Sequence, residues 1–165
     1  MTNELPNHEP QDIFSAAVDL PKKRVGTSMM IVNENEEIII VKPVYREYWS
    51  LPGGIVEQHE SPRSACIREV KEEVGIDIVN PRCLCVHWEA PTDNKEESVR
   101  FVFLGASTQT HFNLESSDEI AECRFSPITE ALRLMNKTTS ALVRASLKAL
   151  QNNRIIYFED DEELG

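Results

Sequence analysis

The stretch LPGGIVEQHESPRSACIREVKEEVGIDI, Leu51 to Ile78, constrains this chain more than any other part of it. Two glycines follow a proline, and five glutamates then gather around one short segment. Ser61 with Pro62 reads as a helix start, because the hydroxyl can cap free N–H groups and the proline ring is already set at helical φ. Gly75 reads as the matching stop, so a helix is predicted over 62–74. Residues three and four apart share a helix face. Glu69, Glu72 and Glu73 therefore point one way, Ile67, Val70 and Val74 another, and Cys66 sits between them.

That clustering is locally unfavourable. Like charges at i,i+3 and i,i+4 each cost roughly 0.3 kcal/mol. Glu72 and Glu73 also lie near the C-terminal end of the helix, where its dipole disfavours anions. A hard divalent cation would offset both penalties, since Mg²⁺ and Mn²⁺ prefer carboxylate and water oxygens. Gly53 and Gly54 permit backbone approaches that a side chain would block, so a peptide carbonyl can turn toward such an ion. Loop and helix together suggest a metal site.

At 165 residues the chain is long enough for one domain with a core and too short for two ordinary ones. We expect a loosely ordered arm over 1–22, one domain over 23–158 and an acidic tail over 159–165. RVGTSMMIV and EEIIIVKP read as strands around the turn NENE, as a hairpin or meander. RCLCVHWEA, SVRFVFLGAS, AECRFSP and RIIYFED read as further strands. ITEALRLMNKTTSALVRASLKAL carries helical spacing and is expected as two helices split near Lys137 to Thr139. The result is a mixed α/β (α+β) layered fold.

A formal charge of −11 excludes binding a nucleic-acid backbone through general electrostatics, so no duplex partner is expected and phosphates must be handled by local cations. No apolar run approaches the roughly 18 residues of a membrane helix, so no membrane partner is expected either. The N-terminus lacks a secretory pattern, and the expected location is cytoplasmic. Cys66, Cys83, Cys85 and Cys123 show no CxxC pairs and read as reduced core residues.

Gly54, Glu60, Arg68, Glu69, Val70, Glu72, Glu73, Gly75 and Ile76 together resemble the signature of the Nudix hydrolases: glycine, five residues, glutamate, seven residues, then Arg-Glu-apolar-x-Glu-Glu-x-Gly-apolar. YWSLPGG before this box and EIAECRF with a helix after it resemble the same family, as in small bacterial members. Family members commonly carry glycine where this chain has His59, a departure that bears on the loop's shape.

The resemblance implies a Nudix fold, a mixed β-sheet between helices with a catalytic loop-helix-loop at 54–76. It implies hydrolysis of a diphosphate bond in a small-molecule nucleoside diphosphate derivative, with Mg²⁺ or Mn²⁺ and an attacking water. Glu69, Glu72 and Glu73 would be metal ligands with the Gly53 carbonyl, and Glu69 is alternatively the base. Arg68 would orient the carboxylates and Glu60 would support it. A further acid is expected from ESSDEIAECRF, at Asp118 or Glu119.

For substrate binding, Trp88, Trp49, Tyr45 and Tyr48 could stack on a base, and Arg46 or Arg100 could hold a phosphate. Pro91, fifteen residues beyond Ile76, has a spacing resembling that of ADP-ribose pyrophosphatases, although a proline opening a polar loop also serves as a turn former. A homodimer is among the partner expectations. Two other functions stand beside hydrolysis: a Nudix-like domain that senses a nucleotide metabolite without cleaving it, and isomerisation of a prenyl diphosphate. The intact Glu69, Glu72 and Glu73 favour catalysis over sensing, and the residues that the isomerase would need cannot be placed.

Overall fold

Near-continuous runs of Ile, Met and Val put two strands at the centre of the molecule, because a strand buried on both faces needs no polar alternation. In the computed structural model these are β1 (Arg24–Val32) and β2 (Glu37–Pro43), with Met29, Met30, Ile31, Ile38, Ile39 and Ile40 fully buried. The structure describes residues 22–106, 112–114, 118–160 and 162–163, so the expected arm lies, save for Lys22, outside the described residues.

The remaining elements are α1 (Pro62–Val74), β3 (Arg82–Glu89), β4 (Ser98–Ala106), β5 (Ile120–Pro127), α2 (Ile128–Leu134), α3 (Lys137–Asn152), β6 (Ile156–Glu159) and β7 (Glu162–Glu163). They form one mixed sheet in the order β5-β2-β1-β4-β3-β6-β7. β1 runs parallel to β4 and β3 parallel to β6, and the other pairs are antiparallel.

Alternation along the strands divides the core in two. Met29, Ile31, Ile39 and Phe103 pack with Cys66, Val70 and Val74 of α1. Met30, Ile38, Ile40 and Val102 pack on the opposite face with Leu142 and Val143 of α3. Helices thus cover both faces.

β1 and β2 pair directly only at Val32 and Ile38. Toward their other end they splay, and the segment 50–56 enters the gap. Ser50 exchanges two hydrogen bonds of 2.9 Å with Val41, while the Pro52 and Gly54 carbonyls accept from Met29 and Thr27 at 2.8 Å. The amide of Val56 then donates to the Val25 carbonyl at 3.0 Å. The glycine loop is therefore a stretch of the sheet itself.

Helix α1 has the predicted bounds. Ser61 accepts from the Ser64 amide at 3.1 Å, and Gly75 closes the helix at φ 74° with its amide on the Lys71 carbonyl. Its buried stripe differs from the expected one: Cys66 joins Val70 and Val74 in the core, and Ile67 is only partly buried. These three follow the i,i+4 row, which Ile67 leaves by one residue. Glu73 is also buried, at 8% exposure, so the three acids do not share one solvated face.

The break between the last helices falls at Met135–Asn136, just before the expected place, because the Asn136 side chain caps α3 by accepting from the Thr139 amide at 2.8 Å. In the expected acidic tail, Glu159 still belongs to β6, and Glu162–Glu163 pair back onto it as β7. Neither Glu162 nor Glu163 is apolar, so no hydrophobic pattern announces the pairing. All four cysteines are free, and no helix of the described residues is long and apolar enough to cross a membrane.

Candidate active site

Where the inserted segment meets α1, a cleft opens. It is lined by Gly53, Gly54, Ile55, Glu57, Arg68, Glu69, Glu72, Glu73, Asp118, Glu119 and Tyr45. Six of these are carboxylates and one is a cation. The helix supplies three acids, the strand-like loop one, and the approach to β5 the last two.

Arg68 organises the outer half of the cleft. Its guanidinium reaches Glu60, Glu69 and Glu72 at 3.0 Å each and donates to the Ile55 carbonyl at 3.3 Å. This fixed fork of donors is what guanidinium offers and ammonium does not. Arg68 holds the Glu60 carboxyl below the usual range, helped by the Glu57 amide, and is itself held charged, chiefly by Glu60.

The inner half is crowded with negative charge. Burial raises the Glu69 carboxyl, Arg68 opposes that, and Glu72 and Glu119 add to it. Burial pushes Glu73 up to about 8; the Gly53 amide, donating to its Oε2 at 2.7 Å, lowers it in part, and Glu69, Glu119 and Glu72 raise it again. A graded series results: Glu73 sealed in, Glu69 half-buried, and Glu72 exposed.

Both loop glycines are required. Gly53 has φ 140°, and a methyl group there would come within 2.7 Å of the Ser28 Cα and closer still to the Thr27 carbonyl oxygen. A methyl group on Gly54 would press on the Glu69 carboxylate, at 2.6 Å from Oε2. The loop can lie against this helix only without side chains.

The donor set fits a hard divalent cation: every lining group that can bind an ion offers oxygen, and acids outnumber the cation. As the side chains stand, no three His, Cys, Asp or Glu residues among those described converge at ion-holding distance. Arg68 draws Glu69 and Glu72 outward and Gly53 engages Glu73. Binding would turn carboxylates away from these partners.

Of the residues expected from sequence, Gly53, Glu69, Glu72, Glu73, Arg68 and Glu119 line the cleft, and Glu60 braces it through Arg68. Arg46, Trp88 and Arg100 lie outside its lining. Trp88 donates to Glu97 Oε2 at 3.2 Å, and it stands opposite Val99 while Arg100 stands opposite His87, so the two occupy opposite faces of the sheet. Glu57 and Ile55 were not anticipated. Their signal was position alone, since both follow the glycine pair directly into the cleft.

Comparison with protein-family models matches the NUDIX domain over residues 22–147. The chain belongs to the Nudix family. This Nudix chain is 34% identical over 130 residues to the 8-oxo-dGDP phosphatase NUDT18 of Danio rerio, a match covering 74% of the chain and 38% of that protein. It is 34% identical over 67 residues to an RNA pyrophosphohydrolase of Hydrogenovibrio crunogenus, covering 41% of each. It spans well under half the length of these two relatives. The crystal structure of a MutT NUDIX hydrolase from Burkholderia pseudomallei superposes with a TM-score of 0.65 at 25% identity, over 79% of this chain and 99% of that one. The Nudix fold expected from the signature is the fold observed.

Proposed function

We propose that this Nudix chain hydrolyses a diphosphate bond in a nucleoside diphosphate derivative, using Mg²⁺ or Mn²⁺. The observation that carries this reading is that six carboxylates line one cleft floored by glycine backbone. A cleft built only to bind a phosphate-rich ligand would be expected to carry cations instead.

Glu69, Glu72, Glu73 and the Gly53 carbonyl would hold the ion, with Glu119 completing the set. When bound, the ion neutralises charge on the phosphoryl oxygens and lowers the pKa of a water. The chain's own residues do the rest. Arg68 holds Glu69 and Glu72 at the mouth of the cleft until an ion draws them in, and Glu60 keeps Arg68 in place. In the alternative in which Glu69 is the base and not a ligand, its carboxyl, raised by burial, takes the proton of the attacking water as the new P–O bond forms and the bridging P–O bond breaks. Tyr45 and Ile55, 62% and 48% exposed, give the cleft an apolar rim for the nucleoside part.

The two curated relatives carry different substrate names, 8-oxo-dGDP and RNA, so the substrate has to be found by experiment. The test is a screen of nucleotide sugars, dinucleotides and nucleoside di- and triphosphates with Mg²⁺ and with Mn²⁺, reading released phosphate after phosphatase coupling. Metal-dependent release that Glu72→Gln lowers at least tenfold supports the reading. Saturable nucleotide binding without turnover would instead favour a sensing domain.

A further inference from the structure

On the other face of the sheet lies a second charged group that the carboxylate cleft does not use. Arg100 sits two residues before Val102 on β4, and Ser28 two residues before Met30 on β1, so both share the face that α3 covers. Arg100 Nη1 donates to Ser28 Oγ at 3.2 Å. The guanidinium lies over Gly26: a methyl group there would stand 3.5 Å from its Cζ and Nη2. Arg46 and Arg24 are near enough for their charges to act on it, and burial with these like charges lowers its pKa. Arg46 in turn lies over Tyr45 and Tyr48, 5.1 and 5.7 Å from their ring centroids.

In a chain of net charge −11, two arginines whose charges act on a third, half-buried one are unexpected. None of them is in an ion pair among the described residues. The carboxylate that acts on Arg100 most strongly, Glu89, is already engaged by Lys95 and by the Ser98 hydroxyl. His87, opposite Arg100 in the register, is held below its usual pKa by burial, which favours its neutral form. A partly buried guanidinium flanked by two like charges, whose one acting carboxylate is already engaged by a lysine, is incompletely compensated and favours an arriving anion.

We infer that Arg100, Arg46 and Arg24, with the Ser28 hydroxyl, form an anion subsite that takes a phosphate group of the substrate other than those at the scissile bond. Ser28 follows Thr27, whose amide donates to the Gly54 carbonyl at 2.8 Å, so the subsite and the cleft lie on opposite faces of one strand. Tyr45 bridges the two, lining the cleft while receiving Arg46 on its ring. A substrate reaching across would carry one phosphate more than the bond to be cleaved requires. The inference rests on the hydrolase reading for the origin of that phosphate, and not for the binding itself.

The test is calorimetric titration of inorganic phosphate into the full chain in EDTA. Saturable binding that weakens with salt is expected, with at least a tenfold loss in Arg100→Gln and in Arg46→Gln and a smaller loss in Arg100→Lys. Arg46 is exposed, so its variant remains informative if Arg100→Gln fails to fold. Wild-type affinity in both glutamine variants, or no heat from wild type at millimolar phosphate, overturns the subsite. Phosphate binding without turnover in any nucleotide assay would overturn the hydrolase reading and leave the subsite standing. With turnover, phosphate that raises KM supports a substrate group, and phosphate that lowers kcat alone marks an effector and overturns that assignment.

Discussion

The Gly53 amide donates to Glu73 Oε2 at 2.7 Å, joining the loop to the buried end of α1 across twenty residues of sequence. The bond is made to a carboxyl whose pKa is raised from 4.5 to about 8, first by burial and then by Glu69, Glu119 and Glu72. An acid raised on folding contributes stability that is fully present below its unfolded value of 4.5 and is lost as pH rises through about 8. Glu73→Gln keeps an oxygen acceptor for Gly53 and removes the charge. In EDTA the variant should be more stable than wild type by about 1–3 kcal/mol near pH 8.5, and by much less near pH 5. Urea denaturation at both values decides; a gap that does not widen with pH means that Glu73 titrates normally.

Divalent metal should act in the opposite direction on the wild type. A ligand bound by the folded state alone stabilises it by roughly 2.7 kcal/mol at a hundredfold excess over Kd. For a domain of this size that is a rise in Tm of roughly 5–10 °C. Glu69→Gln, Glu72→Gln and Glu73→Gln combined should abolish the rise while lifting the metal-free baseline. Melting curves indifferent to millimolar Mg²⁺, Mn²⁺ and Ca²⁺, with and without a nucleotide diphosphate, would reduce the cluster to a charged surface.

The two loop glycines should fail differently. A side chain at Gly53 meets backbone, the Thr27 carbonyl and the Ser28 Cα, at a φ of 140°. Gly53→Ala should cost about 3 kcal/mol or more. A side chain at Gly54 meets the movable end of Glu69. Gly54→Ala should therefore fold with a loss of about 1 kcal/mol and lose turnover at least tenfold. Equal stability of the two variants would contradict the packing of the loop.

His59, where family members commonly carry glycine, has φ 65°. The left-handed region costs a residue with a Cβ about 1–2 kcal/mol, and glycine returns part of that through the freedom of its unfolded chain, about 0.5–1 kcal/mol. His59→Gly should raise Tm by about 1–4 °C without altering metal response. A lower Tm would mean that the imidazole makes a compensating contact.

What could be read from sequence was what repeats or punctuates. Ser61, Pro62 and Gly75 set α1 to the residue, because capping and φ preference are local. Short runs rich in apolar residues, bounded by turn signals, placed β1 to β6. The insertion of 50–56 between β1 and β2 was not legible, since it depends on which strands meet. Nor was the split of the helix acids into buried Glu73 and exposed Glu72, one residue apart, because a step of one residue turns the helix by more than a quarter of a circle. The grouping of Arg24, Arg46 and Arg100 spans three separate segments, and no spacing rule connects them.

Because Ser50, Pro52, Gly54 and Val56 are hydrogen-bonded into the splayed strands, the glycine loop shares its cooperative unit with the hydrophobic centre. It cannot loosen by itself in the way a surface lid can. Amide protons of Thr27, Met29 and Val56 should exchange as slowly as those of β4, and heat should extinguish turnover and near-UV ellipticity in one transition. For this molecule, holding the site and holding the fold are the same equilibrium.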